Sequence, residues 1–166
     1  MNVKKITWQN FITVNEPNPQ QAFEKMCRVL FAKMLQTEPR NINSSPNNPG
    51  VEVNPIRNSK GEFVSFQAKF FLASVDYSQI ENSMQTAINN YNGNLDIVYL
   101  YCNKDFTQDT KGYRRIVEML CLAGISVIPV TNEQILQDII ENCYSTIGNL
   151  YFDSVALNRP WFDDQL

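Results

Sequence analysis

Histidine is absent from all 166 residues. That absence excludes histidine general bases, Ser-His-Asp and Cys-His arrangements, and histidine-ligated zinc. Four cysteines are present, Cys27, Cys102, Cys121 and Cys143, and none belongs to a CxxC pair. A thiolate zinc site is therefore not indicated. Each cysteine sits in an apolar run and reads as a small core residue with a free thiol, as in a reducing compartment. Neither GxxxxGK(S/T) nor GxGxxG occurs, so no glycine-rich phosphate loop is visible. The opening MNVKKITWQN lacks the apolar stretch of about 7–15 residues that a signal peptide requires. No run approaches the roughly 18 apolar residues of a membrane span. The expectation is a cytoplasmic protein with no membrane partner. Net charge is −3, so a nucleic acid could be held only by a local basic patch.

What is present suits one globular domain with a substantial core. The segment NEPNPQQAFEKMCRVLFAKMLQ carries a helix start. Asn18 stands at the N-cap, Pro19 at the first helical position and Gln21 at the capping-box position. Phe23, Met26, Cys27, Leu30, Phe31 and Met34 follow at helical spacing. KKITWQNFITV fits either a short strand or a helical turn, and NINSSPNNPG reads as a polar loop. Then comes a hairpin with RNSKGE as its turn. Alternation puts Val51 and Val53 on one side and Glu52 and Asn54 on the other. On the second strand it puts Ser65, Gln67 and Lys69 on one face, with Phe63 and Phe71.

Helices and strands alternate after that. DYSQIENSMQTAINNYNG carries a Ser78/Glu81 capping box and a stop at Gly93. LDIVYLYC reads as a strand buried on both faces. DTKGYRRIVEMLCLAG is an amphipathic helix ending at Gly124, ISVIPV a second buried strand, and TNEQILQDIIENCYS a helix opened by a Thr131/Gln134 box. The order is α, β-hairpin, α, β, α, β, α, and a mixed sheet flanked by helices accommodates it. Residues 1–150 are expected to form the domain. The aromatic tail 151–166 is expected to begin a linker to a further domain.

One hairpin carries an acid, an amide and a lysine among apolar neighbours. A hard cation such as Mg²⁺ takes oxygen ligands and keeps several waters, so few protein oxygens suffice. Glu52 can supply a carboxylate oxygen, Gln67 its amide oxygen, and Ala68 a backbone carbonyl. Lys69 shares a face with Gln67 and can stabilise charge developing on a phosphate or orient the attacking water. A metal-activated water suits a chain without a histidine base.

Glu52 followed by Gln67-Ala68-Lys69 resembles the PD-(D/E)xK nuclease superfamily, and the glutamine resembles its Mrr-like QxK branch. PGVE followed by FQAKFF resembles the N-terminal nuclease effector domain of bacterial anti-phage STAND NTPases. The resemblance spans about residues 20–130 in element order, and its specific part is residues 49–71. It implies a restriction-endonuclease-like mixed sheet flanked by helices, an αβββαβ core with an extra β-α. It implies Mg²⁺-dependent hydrolysis of DNA phosphodiesters, double-stranded and non-specific, with Mn²⁺ able to substitute. The site residues it implies are Lys69, Glu52 and Gln67, with Glu52, Gln67 and the helix residue Glu24 on the metal. It also implies attachment to a larger parent protein or oligomer in antiviral defence. Members often carry a second acid two residues after the glutamate, where this chain has Asn54.

Plainer readings stand beside these. Glu52 fits a solvent-facing strand residue, Gln67 and Lys69 the wet face of an edge strand, and Glu24 a solvated helix position. Asn103 and Lys104 end a strand, where ligands of α/β sheets gather. Lys111, Arg114 and Arg115 crowd about one helical turn. These basic residues are expected either to hold DNA phosphates or to form a solvated surface. Three other classes remain open. One is an inactive nuclease-fold module for nucleic-acid binding or oligomerisation. Another is an interaction module that uses the hairpin. The third is an effector hydrolysing a nucleotide such as NAD.

Overall fold

The apolar runs in the second half of the chain become neighbouring parallel strands. The computed structural model describes residues 5–42, 50–107 and 110–153. Its elements are α1 (Trp8–Val14), α2 (Pro19–Met34), β1 (Ile56–Arg57), β2 (Phe63–Lys69), α3 (Tyr77–Tyr91), β3 (Ile97–Cys102), α4 (Lys111–Leu122), β4 (Ser126–Thr131), α5 (Glu133–Asn142) and α6 (Asn149–Phe152). The fold is mixed α/β, with one four-stranded sheet in the order β1-β2-β3-β4. β1 and β2 pair antiparallel, while β2, β3 and β4 run parallel. Among the described residues no helix is long and apolar enough to cross a membrane.

Topology dictates how the two faces are covered. The chain moves in one direction across the sheet from β2 to β3 to β4. Parallel crossovers are right-handed, so both connecting helices fall on one face. α3 and α4 accordingly share a core with Val98, Leu100 and Cys102 of β3. The other face is left for α1, α2, α5 and α6, which pack on Val64, Phe66 and Tyr101. Each fully buried large apolar side chain in these cores is worth about 1.5–3 kcal/mol of burial.

α2 begins as the sequence predicts, with Asn18 at the N-cap and Pro19 in the first turn, although the Asn18 side chain makes no capping bond. The ambiguous first segment is helical. Thr7 caps α1 by accepting from the Asn10 N–H at 3.1 Å. Trp8 and Phe11 then join Phe23, Phe70 and Phe152 in an aromatic cluster with ring centroids 5.3–6.2 Å apart. A helix serves here because it presents positions 8, 11 and 12 on one side.

Several expectations shift. α3 is capped by Asp76, which accepts from the Gln79 N–H, rather than by Ser78. Glu81 instead pairs with Arg115 of α4 at 3.1 Å. Half of the Thr131/Gln134 box forms: the Gln134 side chain accepts from the Thr131 N–H at 2.9 Å, but the Thr131 hydroxyl turns to Asp105. β4 lies at the end of the sheet order, with Ser126 and Ile128 exposed, instead of being a buried strand. Its Pro129 is tolerable at an edge. Cys27, Cys102 and Cys143 are buried free thiols, but Cys121 is exposed. Tyr151 and Phe152 are fully buried in the core, and Lys5 bridges to Asp153 at 3.2 Å. The packed unit therefore extends past residue 150. The rest of the expected linker, 154–166, lies outside the described residues, as does 43–49 of the polar loop.

Candidate active site between the second helix and the second strand

The approach to β2 is set by a glycine. Gly50 has φ +97°, and a Cβ there would lie 2.2 Å from the Ser83 carbonyl oxygen of α3. Only glycine lets the chain bend this close to the helix backbone. The bend replaces the regular strand expected at 51–54. Val51 packs into the α3–α4 core, whereas Val53 packs into the α1–α2 core. They therefore do not share a side, because residues 50–52 are bends and not extended ladder. Asn54 accepts from the Tyr91 hydroxyl of α3 at 3.2 Å.

Two hydrogen bonds fix the segment against β2. The Glu52 N–H donates to the Phe66 carbonyl at 2.8 Å, and the Ser65 hydroxyl donates to the Val53 carbonyl at 2.7 Å. Ser65, which shares the site face by alternation, thus has a structural role and is fully buried. Gln67 is 3% exposed. Its Nε2 donates to Glu52 Oε1 at 2.6 Å and makes a long contact of 3.4 Å to the Ala68 carbonyl. Its Oε1 is buried with no hydrogen-bond partner. β2 is a central strand rather than an edge, which sets aside the wet-edge reading of Gln67. Lys69 is half-buried and ends the strand in one row with Cys102 and Thr131.

Glu24 reaches the same place from α2. Its side chain is exposed at the surface and hydrogen-bonds the Glu52 carboxyl. Burial, that hydrogen bond and the Glu24 charge push Glu52 up to about 8, against the opposing pull of the Ala68 N–H and Lys69. The main cause is desolvation, since burial disfavours the charged form of Glu52, and the neighbouring Glu24 carboxyl adds to it. Lys69 is shifted the other way. Burial lowers its pKa, while attraction from Glu52, Glu24 and Asp76 opposes the change. Gln21, Glu24, Lys25, Arg28, Glu52 and Phe66 line a cleft of ≈ 240 Å³ beside the pair.

Glu24, Glu52, Gln67 and Lys69 are therefore brought together. The donor set fits a hard divalent cation. It offers two carboxyls that repel until neutralised and a buried amide oxygen with nothing to accept from, all oxygen donors of the kind Mg²⁺ takes. The basic residues are spread more widely. Lys104 follows β3 and lines a separate surface hollow with Asp105 and Tyr77. Lys111 and Arg114 are exposed on α4, on the opposite face of the sheet from α2. Arg115 is engaged by Glu81. Asn103 is engaged within the fold. Buried at 3% exposure, it accepts from the Phe71 N–H and donates to the Phe71 carbonyl, both at 2.9 Å, clamping the ends of β2 and β3.

Sequence reasoning missed Gln21, Lys25, Arg28 and Asp76. The first three were legible as a polar stripe with Glu24, spaced three and four residues apart, running beside the apolar stripe of α2. Asp76 carried no such signal, since its approach to Lys69 comes from the turn between β2 and α3. Compared with models of known families and with curated proteins, the chain matches none.

Proposed function

We propose that this chain is a divalent-metal-dependent DNA endonuclease domain of the PD-(D/E)xK kind. The observation that carries the reading is the meeting of Glu52 with Gln67 at 2.6 Å, the amide oxygen of Gln67 left orphaned, and Lys69 two residues on. Glu52, Glu24 and Gln67 Oε1 would hold the cation, here Mg²⁺ or Mn²⁺. When bound, such a cation supplies Lewis acidity toward the phosphate and toward water.

The chain's own residues do the rest. Glu52, whose pKa is raised to about 8, must release its proton to act as a ligand. Gln67 keeps Glu52 oriented through its Nε2. Lys69 directs its ammonium at the phosphate, where a fixed positive charge in a half-buried site stabilises the charge that grows as the bond breaks. Glu24 takes over the charge compensation that Asn54 cannot provide, since Asn54 is neutral and turned to Tyr91.

Plasmid cleavage by the chain, concentrated or artificially dimerised, with Mg²⁺ or Mn²⁺ tests the reading. Metal-dependent cutting that Lys69→Ala reduces at least ~100-fold supports it. No cutting in any oligomeric state, with no metal bound on titration, overturns it in favour of an inactive nucleic-acid-binding module.

A further inference from the structure

The carboxyl pair opens onto α2, and the basic residues of that helix line its cleft with no role in the chemistry described so far. Gln21, Glu24, Lys25 and Arg28 form one stripe on α2, and all four line the cleft that contains Glu52. Gln21 and Lys25 also line a neighbouring cleft of ≈ 190 Å³ at the start of α2, with Asn15 and Tyr151. The two clefts meet at these residues, so the depression continues past Glu24 along the helix. Arg28 is tied down, because its guanidinium donates to the Ile42 carbonyl. Lys25 differs. It is exposed, stands where the clefts join, and among the described residues has no hydrogen-bond or ion-pair partner.

A cation beside two carboxyls ordinarily pairs with them. Lys25 follows Glu24 directly in sequence, and adjacent helical residues point in different directions. Lys25 lines the same cleft as both carboxyls, yet among the described residues it forms no ion pair with either, so its ammonium is left for another anion. We infer that Lys25 binds the backbone phosphate next to the one being cut, so that the cut strand of DNA lies along α2. This rests on the nuclease reading for the identity of the ligand. It makes Lys25 a substrate-binding residue on α2, on the other face of the sheet from the basic residues of α4. An ammonium on a flexible stem suits a phosphate whose exact position varies with sequence.

The test is fluorescence anisotropy with a labelled DNA duplex, Ca²⁺ replacing Mg²⁺ so that binding is read without turnover. Lys25→Glu should weaken binding at least ~10-fold and reduce the salt dependence by about one phosphate contact. Lys25→Arg should remain within about 2-fold of the parent, because it keeps the charge. Lys60→Glu makes the same charge change in the β1–β2 turn, at the opposite end of β2 from Lys69, and should also remain within about 2-fold. Equal losses from Lys25→Glu and Lys60→Glu, or none from Lys25→Glu, overturn the inference, as does a parent chain that binds no DNA. A parent that binds with the expected pattern, but in the plasmid assay cuts nothing in any oligomeric state and binds no metal, overturns the nuclease reading and leaves Lys25 as a DNA contact. A parent that cuts, while Lys25→Glu binds normally, overturns Lys25 alone.

Discussion

The amide nitrogen of Gln67 stands 2.6 Å from Glu52 Oε1, and this contact leaves the amide oxygen of Gln67 buried and unbonded. A glutamine so placed is an acceptor awaiting a cation or a donor. Gln67→Glu would put a third carboxyl against one that already keeps its proton. Without metal, the variant should melt about 5 °C lower. With Mn²⁺ that loss should reverse, and Mn²⁺ affinity should rise at least ~10-fold, because a carboxylate is a better hard ligand than an amide. Thermal melts in chelator and in Mn²⁺ check both. Equal stability in chelator would contradict the contact.

The Glu52 carboxyl should leave a signature in stability against pH. Its pKa is about 8 in the folded chain against the ordinary 4.5. Between those values the folded state binds more protons than the unfolded, so this contribution falls as pH rises. It is fully present below about 4.5 and gone above about 8. Metal-free melting curves of the parent and Glu52→Gln should diverge across that window. The variant should gain about 3–5 °C at pH 8 and little at pH 4. A difference independent of pH would show that Glu52 ionises normally.

Glu24 acts on the metal site from an exposed helix position. Glu24→Gln should lower Mn²⁺ affinity about 10-fold or more. It should leave the fold intact, since the side chain lies outside the core. Isothermal titration with Mn²⁺ reads the first effect and circular dichroism the second. Unchanged affinity would assign Glu24 to the solvated surface.

Gly50 positions the whole segment. Gly50→Ala combines a positive φ with a Cβ 2.2 Å from a helix carbonyl oxygen. It should cost about 3 kcal/mol or more. Urea titration would show a lower midpoint with an unchanged slope.

The boundary of the packed unit can be checked at Phe152. It is fully buried, within the aromatic cluster of Trp8, Phe11 and Phe23. Phe152→Ala should cost about 3–5 kcal/mol, as read by the same titration. A loss near zero would return residues 151–153 to the linker.

Local signals located most of the helices and strands, and alternation along β2 gave the shared face of its polar residues. Pro19, Gly93 and Gly124 marked helix ends because backbone restrictions act locally. The apolar run at Ile97–Cys102 marked a strand because burial on both faces requires it. Gln67 and Lys69 shared a face because alternation depends only on a regular strand. Tertiary structure decided the rest. Val51 and Val53 separate because Gly50 bends the chain against Ser83 of α3, a residue more than thirty positions away in sequence. Asp76 takes the cap from Ser78 because both are capping residues, and only the folded turn chooses between them. Glu24 meets Glu52 because α2 packs across β2. The rise of the Glu52 pKa from 4.5 to about 8 comes first from burial and then from Glu24, and neither burial nor proximity can be expressed by spacing along one chain.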